Sequence, residues 1–108
     1  MRAYELERLV IDQAGSESLY HEFLRVPALS MGLYVLPAGS VDPQHPHDED
    51  EVYYVTQGQA MIMVDGEDRV VQAGSIVYVA SQIEHRFHTI EEDLHVLVFF
   101  APEEGSGK

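Results

Sequence analysis

Two histidines one residue apart, His45 and His47, stand against a run of four acidic residues, 48–51. On an extended strand, residues two apart point to the same side, about 7 Å apart along the chain. Two imidazoles in that relation can converge on one cation. Continuing by twos, Glu51 and then Tyr53 fall on the same side, so a carboxylate is delivered beside the two rings. His47 and Glu51 are also four apart, which would suit a helix. Pro43 and Pro46 argue against one, because proline removes a backbone donor and clashes inside a helix, and the following "VYYV" is β-rich. Two histidines and a glutamate are three ligands, and a fourth would come from elsewhere. His85, which opens an apolar stretch and shares its parity with Phe87, is a candidate. Asp48, Glu49 and Asp50 are expected to form a solvated rim and not to be ligands, and the other reading of the whole stretch is a solvated loop.

Elements that could hold such a site are short and β-type. Candidate strands cover 19–26, 30–36, 51–55, 59–64, 68–71, 75–80, 85–90 and 94–100, divided by Pro27, Pro37 with Gly39, Gln57-Gly58, Asp65-Gly66 and Ala73-Gly74. Asp65-Gly66 suits a tight hairpin whose central residues need positive φ. A helix near 1–10 is the weaker reading of the N-terminus. At least eight strands at this spacing imply an all-β chain, closed as a barrel or two-sheet sandwich. The strands at 59–64 and 94–100 are apolar on both faces. The second face, with Met61, Met63, Leu97 and Phe99, implies a partner surface, and a homodimer is expected.

Length and charge bound the function. A chain of 108 residues is expected to form one domain over 1–101, with 102–108 as a flexible tail. Nineteen acidic against six basic residues give a charge of −13, which repels nucleic acid and anionic lipid. No apolar run reaches membrane-spanning length and the N-terminus lacks a secretory pattern, so a cytoplasmic location is expected. Without cysteine, disulfides, thiolate ligands and a cysteine nucleophile are excluded.

Gly39, five residues, His45, one residue, His47, three residues, Glu51, six residues, Gly58 is the spacing of the first cupin motif at every fixed position. The second motif runs glycine, five residues, proline, one residue, glycine, two residues, histidine, three residues, asparagine. Here it is met at Gly74 and His85, but Ala80, Gln82 and Thr89 replace its proline, second glycine and asparagine. The chain thus resembles a small single-domain cupin. The resemblance implies an antiparallel double-stranded β-helix, or jelly roll, holding one divalent transition metal. Carried over, the ligands are His45, His47, Glu51 and His85. The donor set suits iron, manganese, nickel, cobalt, copper or zinc without choosing among them.

Four protein ligands leave positions open for a small molecule. Such a site serves a dioxygenase-type enzyme, or an isomerase or lyase. Glu51 is a candidate base and Tyr53 a second candidate catalytic residue. Tyr53, Ile62 and Phe87 are expected to line the pocket, with Met31, Leu33 or Tyr34 as further inward positions. These are apolar, and a multiply anionic substrate would lack a cationic clamp. The expected ligand is a small, mostly uncharged molecule with a chelating oxygen pair. The alternative is a non-catalytic binding or sensing module. His88 and His95 have outward parity, and His21 carries no signal.

Overall fold

The computed structural model describes residues 1–43 and 46–105. The order is α1 (Leu6–Ala14), β1 (Tyr20–Val26), β2 (Leu29–Leu36), β3 (Asp50–Val64), β4 (Glu67–Gln72), β5 (Ile76–Val79) and β6 (His85–Ala101). Pairing is antiparallel throughout, in the order β1-β2-β6-β3-β4, with β5 also on β3.

The eight expected strands are six, because β3 and β6 each run through what the sequence reads as a break. The first half of β3 pairs with the second half of β6, Glu51 opposite Phe100 and Val55 opposite Val96. Its second half pairs with the first half of β6, Ile62 opposite Phe87 and Val64 opposite His85. Between these stretches the register shifts repeatedly from Val55 to Met61. Gly58, at φ +96°, sits in this bend. The glycine therefore bends a strand and does not end it, and bulges of this kind let one strand serve two walls. The walls enclose one apolar core that includes Tyr53, Val55, Ile62, Phe87, Val96 and Val98. Asp65 and Gly66 both have positive φ, as expected for the hairpin joining β3 to β4.

The helix is a correction to the N-terminal reading. Its apolar residues Leu6, Leu9 and Val10 recur at helical spacing, but over too few positions to outweigh the alternating charges. Leu9 and Gln13 are buried, and the Gln13 amide donates to the Ser18 carbonyl at 2.8 Å. The helix packs against β2. That accounts for Leu33, which lies outside the barrel core cluster yet is fully covered.

Two departures from the second motif have a backbone consequence. Gln82 and Thr89, standing where the motif has glycine and asparagine, both adopt positive φ, +67° and +49°. Both positions take the left-handed backbone without the residue types that tolerate it best. A β-branched residue is strained there, whereas asparagine tolerates the region. Thr89→Asn is expected to stabilise the fold by about 1 kcal/mol, about 4–8 °C in melting temperature. An unchanged or lower melting temperature would show that the Thr89 hydroxyl, 3.0 Å from His88 Nδ1, outweighs the strain.

Candidate metal centre

Two loops present the site, and they are stitched together. The 46–50 loop leads into β3, and the 80–84 turn leads into β6. Gln82 N–H donates to the His47 carbonyl at 2.7 Å, and Ser81 Oγ donates to the Asp48 carbonyl at 2.7 Å. Ser81 N–H donates to Asp50 Oδ1 at 3.0 Å, and the Gln82 amide donates to Asp48 Oδ1. Asp48 and Asp50 are thus clamps as well as solvated rim, and Glu49, expected on that rim, is buried at 4% exposure. The rim expectation holds for the exposed Asp48 and Asp50, which also meet donors of a segment far away in sequence, and fails at Glu49.

The clamps set Glu51 beside His85. Both are buried, at 1% and 3% exposure, and His85 Nε2 lies 3.1 Å from Glu51 Oε1. His85 Nδ1 is 2.8 Å from the Ile83 carbonyl, which can only accept. Nδ1 therefore carries the proton in the neutral ring, and Nε2 turns a lone pair toward the carboxylate. Among the described residues, neither oxygen of Glu51 receives a well-directed hydrogen bond. A buried carboxylate in this state is costly unless a proton or a cation neutralises it. Burial opposes a charge on His85, but Glu51, the Ile83 carbonyl and the charge of Asp42 together hold its pKa above the ordinary histidine value. The geometry also fits a cation. Two adjacent ligands on a six-coordinate ion, each about 2.1 Å from it, would be about 3.0 Å apart.

His47 stands next to this pair, its ring centroid 6.2 Å from that of His85 and 5.0 Å from that of Phe100. Its Nδ1 is 3.7 Å from Glu104 Oε2. His45 lies outside the described residues. Among the described residues no three His, Asp or Glu side chains close on one point. The structure brings Glu51 and His85 together and leaves His47 alongside.

Tyr53 is fully buried, 5.9 Å from the His85 ring and 4.9 Å from Phe87, with Ile62 beside them in the core. These three back the site. The open cavity, about 420 Å³, is lined by His47 together with Tyr20, Tyr34, Val98, Phe100 and Glu104, among others. Of the further inward candidates, Tyr34 reaches this cavity. Leu33 faces the helix side, and Met31 pairs with Phe99 away from the core. His88 and His95 are half-exposed, His88 bonding Asp68 at 2.7 Å.

Three contributors escaped the sequence reading. Asp42 is buried and accepts from the Tyr34 hydroxyl at 2.5 Å and from Phe87 N–H at 2.8 Å, tying the loop after β2 to β6. Glu104 lies in the segment read as a tail. Its N–H donates to Ser30 Oγ at 3.0 Å and its carbonyl accepts from Arg25 at 2.9 Å, which docks 102–105 against the barrel. Burial pushes the Glu104 carboxyl above its usual pKa, partly offset by His47. Tyr20 is the third. Only the proline after Asp42 and the acidic pair 103–104 were there to be noticed, and neither points to a site.

Residues 32–100 match the family of the cupin domain. The chain belongs to the cupin family. This cupin is 47% identical over 104 residues to an uncharacterized protein of Streptomyces coelicolor, covering 96% of this chain and 99% of that protein. Its fold is similar to that of TT1209 from Thermus thermophilus, with a TM-score of 0.79 at 21% identity over 95% and 99% of the two chains. It is also similar to the DMSP lyase DddQ from Ruegeria pomeroyi, with a TM-score of 0.69 at 21% identity over 82% of this cupin and 52% of that chain. The all-β double-stranded β-helix expected from the sequence is the fold observed.

Proposed function

We propose that this cupin holds one divalent transition metal through His45, His47, Glu51 and His85, and acts there on a small, mostly uncharged molecule bearing a chelating oxygen pair. The observation that carries this reading is Glu51, a buried carboxylate that receives no well-directed hydrogen bond among the described residues, 3.1 Å from Nε2 of a histidine whose Nδ1 is held by the Ile83 carbonyl. When bound, such an ion supplies Lewis acidity and, if redox-active, electron transfer to dioxygen. The chain supplies the rest. Glu51 is the group able to take a proton from the bound molecule, Tyr53 backs the site, and Tyr34, Val98 and Phe100 keep water from one wall of the cavity.

A dioxygenase-type reaction is favoured over isomerisation or elimination, because none of the cavity's described lining residues is a lysine or arginine that would clamp an anionic substrate. The lyase among the structural neighbours keeps elimination as the second enzymatic reading. The alternative is a non-catalytic binding or sensing role for a small molecule, which the absence of turnover would favour. Among the described residues no helix is long and apolar enough to cross a membrane, and the reading places the protein in the cytoplasm.

The direct test is elemental analysis of purified protein. About one ion per chain is expected in the wild type, near zero in His85→Ala and in His45→Ala, and a normal content in His88→Ala. Full metal content in His85→Ala would overturn the ligand set.

The reading also includes a homodimer. The outer face of one wall presents two apolar rows, Leu97–Tyr54–Ile76 and Phe99–Val52–Tyr78, with Tyr54 40%, Ile76 69% and Tyr78 60% exposed. Met61 and Met63, grouped with Leu97 and Phe99 from the sequence, lie instead on the other wall beside β4. A second copy of the chain, meeting the same rows about a two-fold axis, would cover them. Light scattering at micromolar concentration should give twice the chain mass, and Tyr78→Glu should give the single mass. A monomeric wild type would remove the dimer and leave the metal reading intact.

A further inference from the structure

The cavity that His47 lines is also lined by Tyr20, at the start of β1. Its hydroxyl is buried and has no hydrogen-bond partner among the described residues. Tyr34, its neighbour in the same wall, shows the ordinary solution, donating to Asp42. The placement of Tyr20 is built into the fold. Gly32 on the adjoining strand leaves the space the phenol fills, since a Cβ there would lie 2.2 Å from the Tyr20 hydroxyl oxygen. Tyr34 and Phe100 hold the ring edge-on, at centroid distances of 6.1 and 6.4 Å. Burial, reinforced by the charges of Glu104, Glu22 and Glu51, holds the phenol well above its ordinary pKa, so it stays protonated and can donate. A buried donor left unmade is costly, and at the edge of a 420 Å³ cavity a ligand is the natural acceptor.

We propose that the Tyr20 hydroxyl donates a hydrogen bond to an oxygen of the small molecule bound in this cavity, whose apolar part rests on Leu19, Val98 and Phe100. The site thus reads its ligand through two anchors, the ion near His47 and the phenol of Tyr20. The carboxylate of Glu104 on the cavity wall disfavours a carboxylate ligand and favours a neutral one such as a hydroxyketone or hydroxamic acid. The inference deepens the metal-centre reading and borrows from it the second anchor.

The test titrates acetohydroxamic acid into cobalt-loaded and chelator-treated protein, wild type and Tyr20→Phe. Binding is followed by the visible bands of cobalt and by amide NMR shifts at Gly32 and Val98. Tyr20→Phe keeps the ring and its packing and removes the unmade donor, so cobalt content should be unchanged and the ligand-free melting temperature no lower than wild type. The dissociation constant of the probe should rise about tenfold, the worth of one hydrogen bond to a buried donor. Equal affinity in the two cobalt-loaded proteins would overturn the assignment. If the wild type takes up no cobalt, the metal-centre reading falls separately, and the metal-free arm decides on Tyr20. Saturable shifts that weaken in Tyr20→Phe uphold the donor role. Identical shifts in both proteins, or none in the wild type, overturn it.

Discussion

Metal-free protein carrying Glu51→Gln is expected to melt above the metal-free wild type at pH 8, although it can no longer be loaded. In the wild type at that pH, a buried carboxylate faces the Nε2 lone pair of His85, and among the described residues no well-directed donor reaches the carboxylate. Glutamine is nearly isosteric, carries no charge, and its amide can donate to that lone pair. The gain should be about 1–3 kcal/mol, the cost of a buried group left unsatisfied. The advantage depends on pH. The folded-state pKa of His85 lies above its unfolded value of 6.5. The stability gained by protonating it is therefore fully present below pH 6.5 and is lost as pH rises through the folded value. In acid the wild type recovers an imidazolium–carboxylate pair, and the advantage of Glu51→Gln should shrink or reverse.

Metal adds the opposite dependence. Protons displace it, so chelator should lower the wild-type melting temperature at pH 7.5 and leave it unchanged at pH 5. The shift should grow by about 1.4 kcal/mol per tenfold excess of free metal over its dissociation constant. Equal chelator shifts at both pH values would mean that histidines do not hold the metal. A Glu51→Gln protein no more stable than wild type in chelator at pH 8 would mean that Glu51 is satisfied by another route.

The second large effect is structural. Gly58→Ala should destabilise the fold by about 3–5 kcal/mol, since it combines a strained backbone with a clash. An added Cβ would lie 2.3 Å from the Asp93 carbonyl oxygen, and φ is +96°. The obstacle is backbone of the neighbouring strand, which cannot rotate away. Against a typical domain stability of about 5–15 kcal/mol, the loss should appear as a much lower urea midpoint and a partly unfolded population at 37 °C. Gly66→Asn is the comparison. Gly66 has φ +81° but nothing within 4 Å, and asparagine tolerates that region, so it should cost under about 1 kcal/mol. If the two variants were equally mild, the strands would have to separate locally at the bend.

What the sequence disclosed about this fold follows from what its patterns measure. Parity along β3 and β6 reports which side a residue faces, so Tyr53, Ile62 and Phe87 were legible as interior and His88 and His95 as outward. Parity does not report whether a strand ends or bends. Gln57-Gly58 and the acidic 91–93 stretch were read as breaks, and both lie inside continuous strands. Nor does it report contacts between distant segments. The Ser81–Asp50 and Gln82–Asp48 stitches, the Asp42 anchor and the docking of Glu104 all join residues whose types look like ordinary loop composition. The second motif is degenerate at Gln82 and Thr89 as a string of letters, but the backbone at both positions has the positive φ that glycine and asparagine tolerate.

Because β3 and β6 each belong to both walls, their pairing works as a single ruler. An insertion or deletion of one residue within either strand would turn side chains inside out beyond that point, moving Glu51 or His85 from interior to surface along with part of the core. Length variation should therefore be tolerated only where the chain leaves the ruler. The β3–β4 hairpin at Asp65-Gly66 is one such point, and the turn between β1 and β2 is another. A peptide grafted at Asp65-Gly66 would inherit a rigid two-stranded stem while the register around Glu51 and His85 stayed fixed.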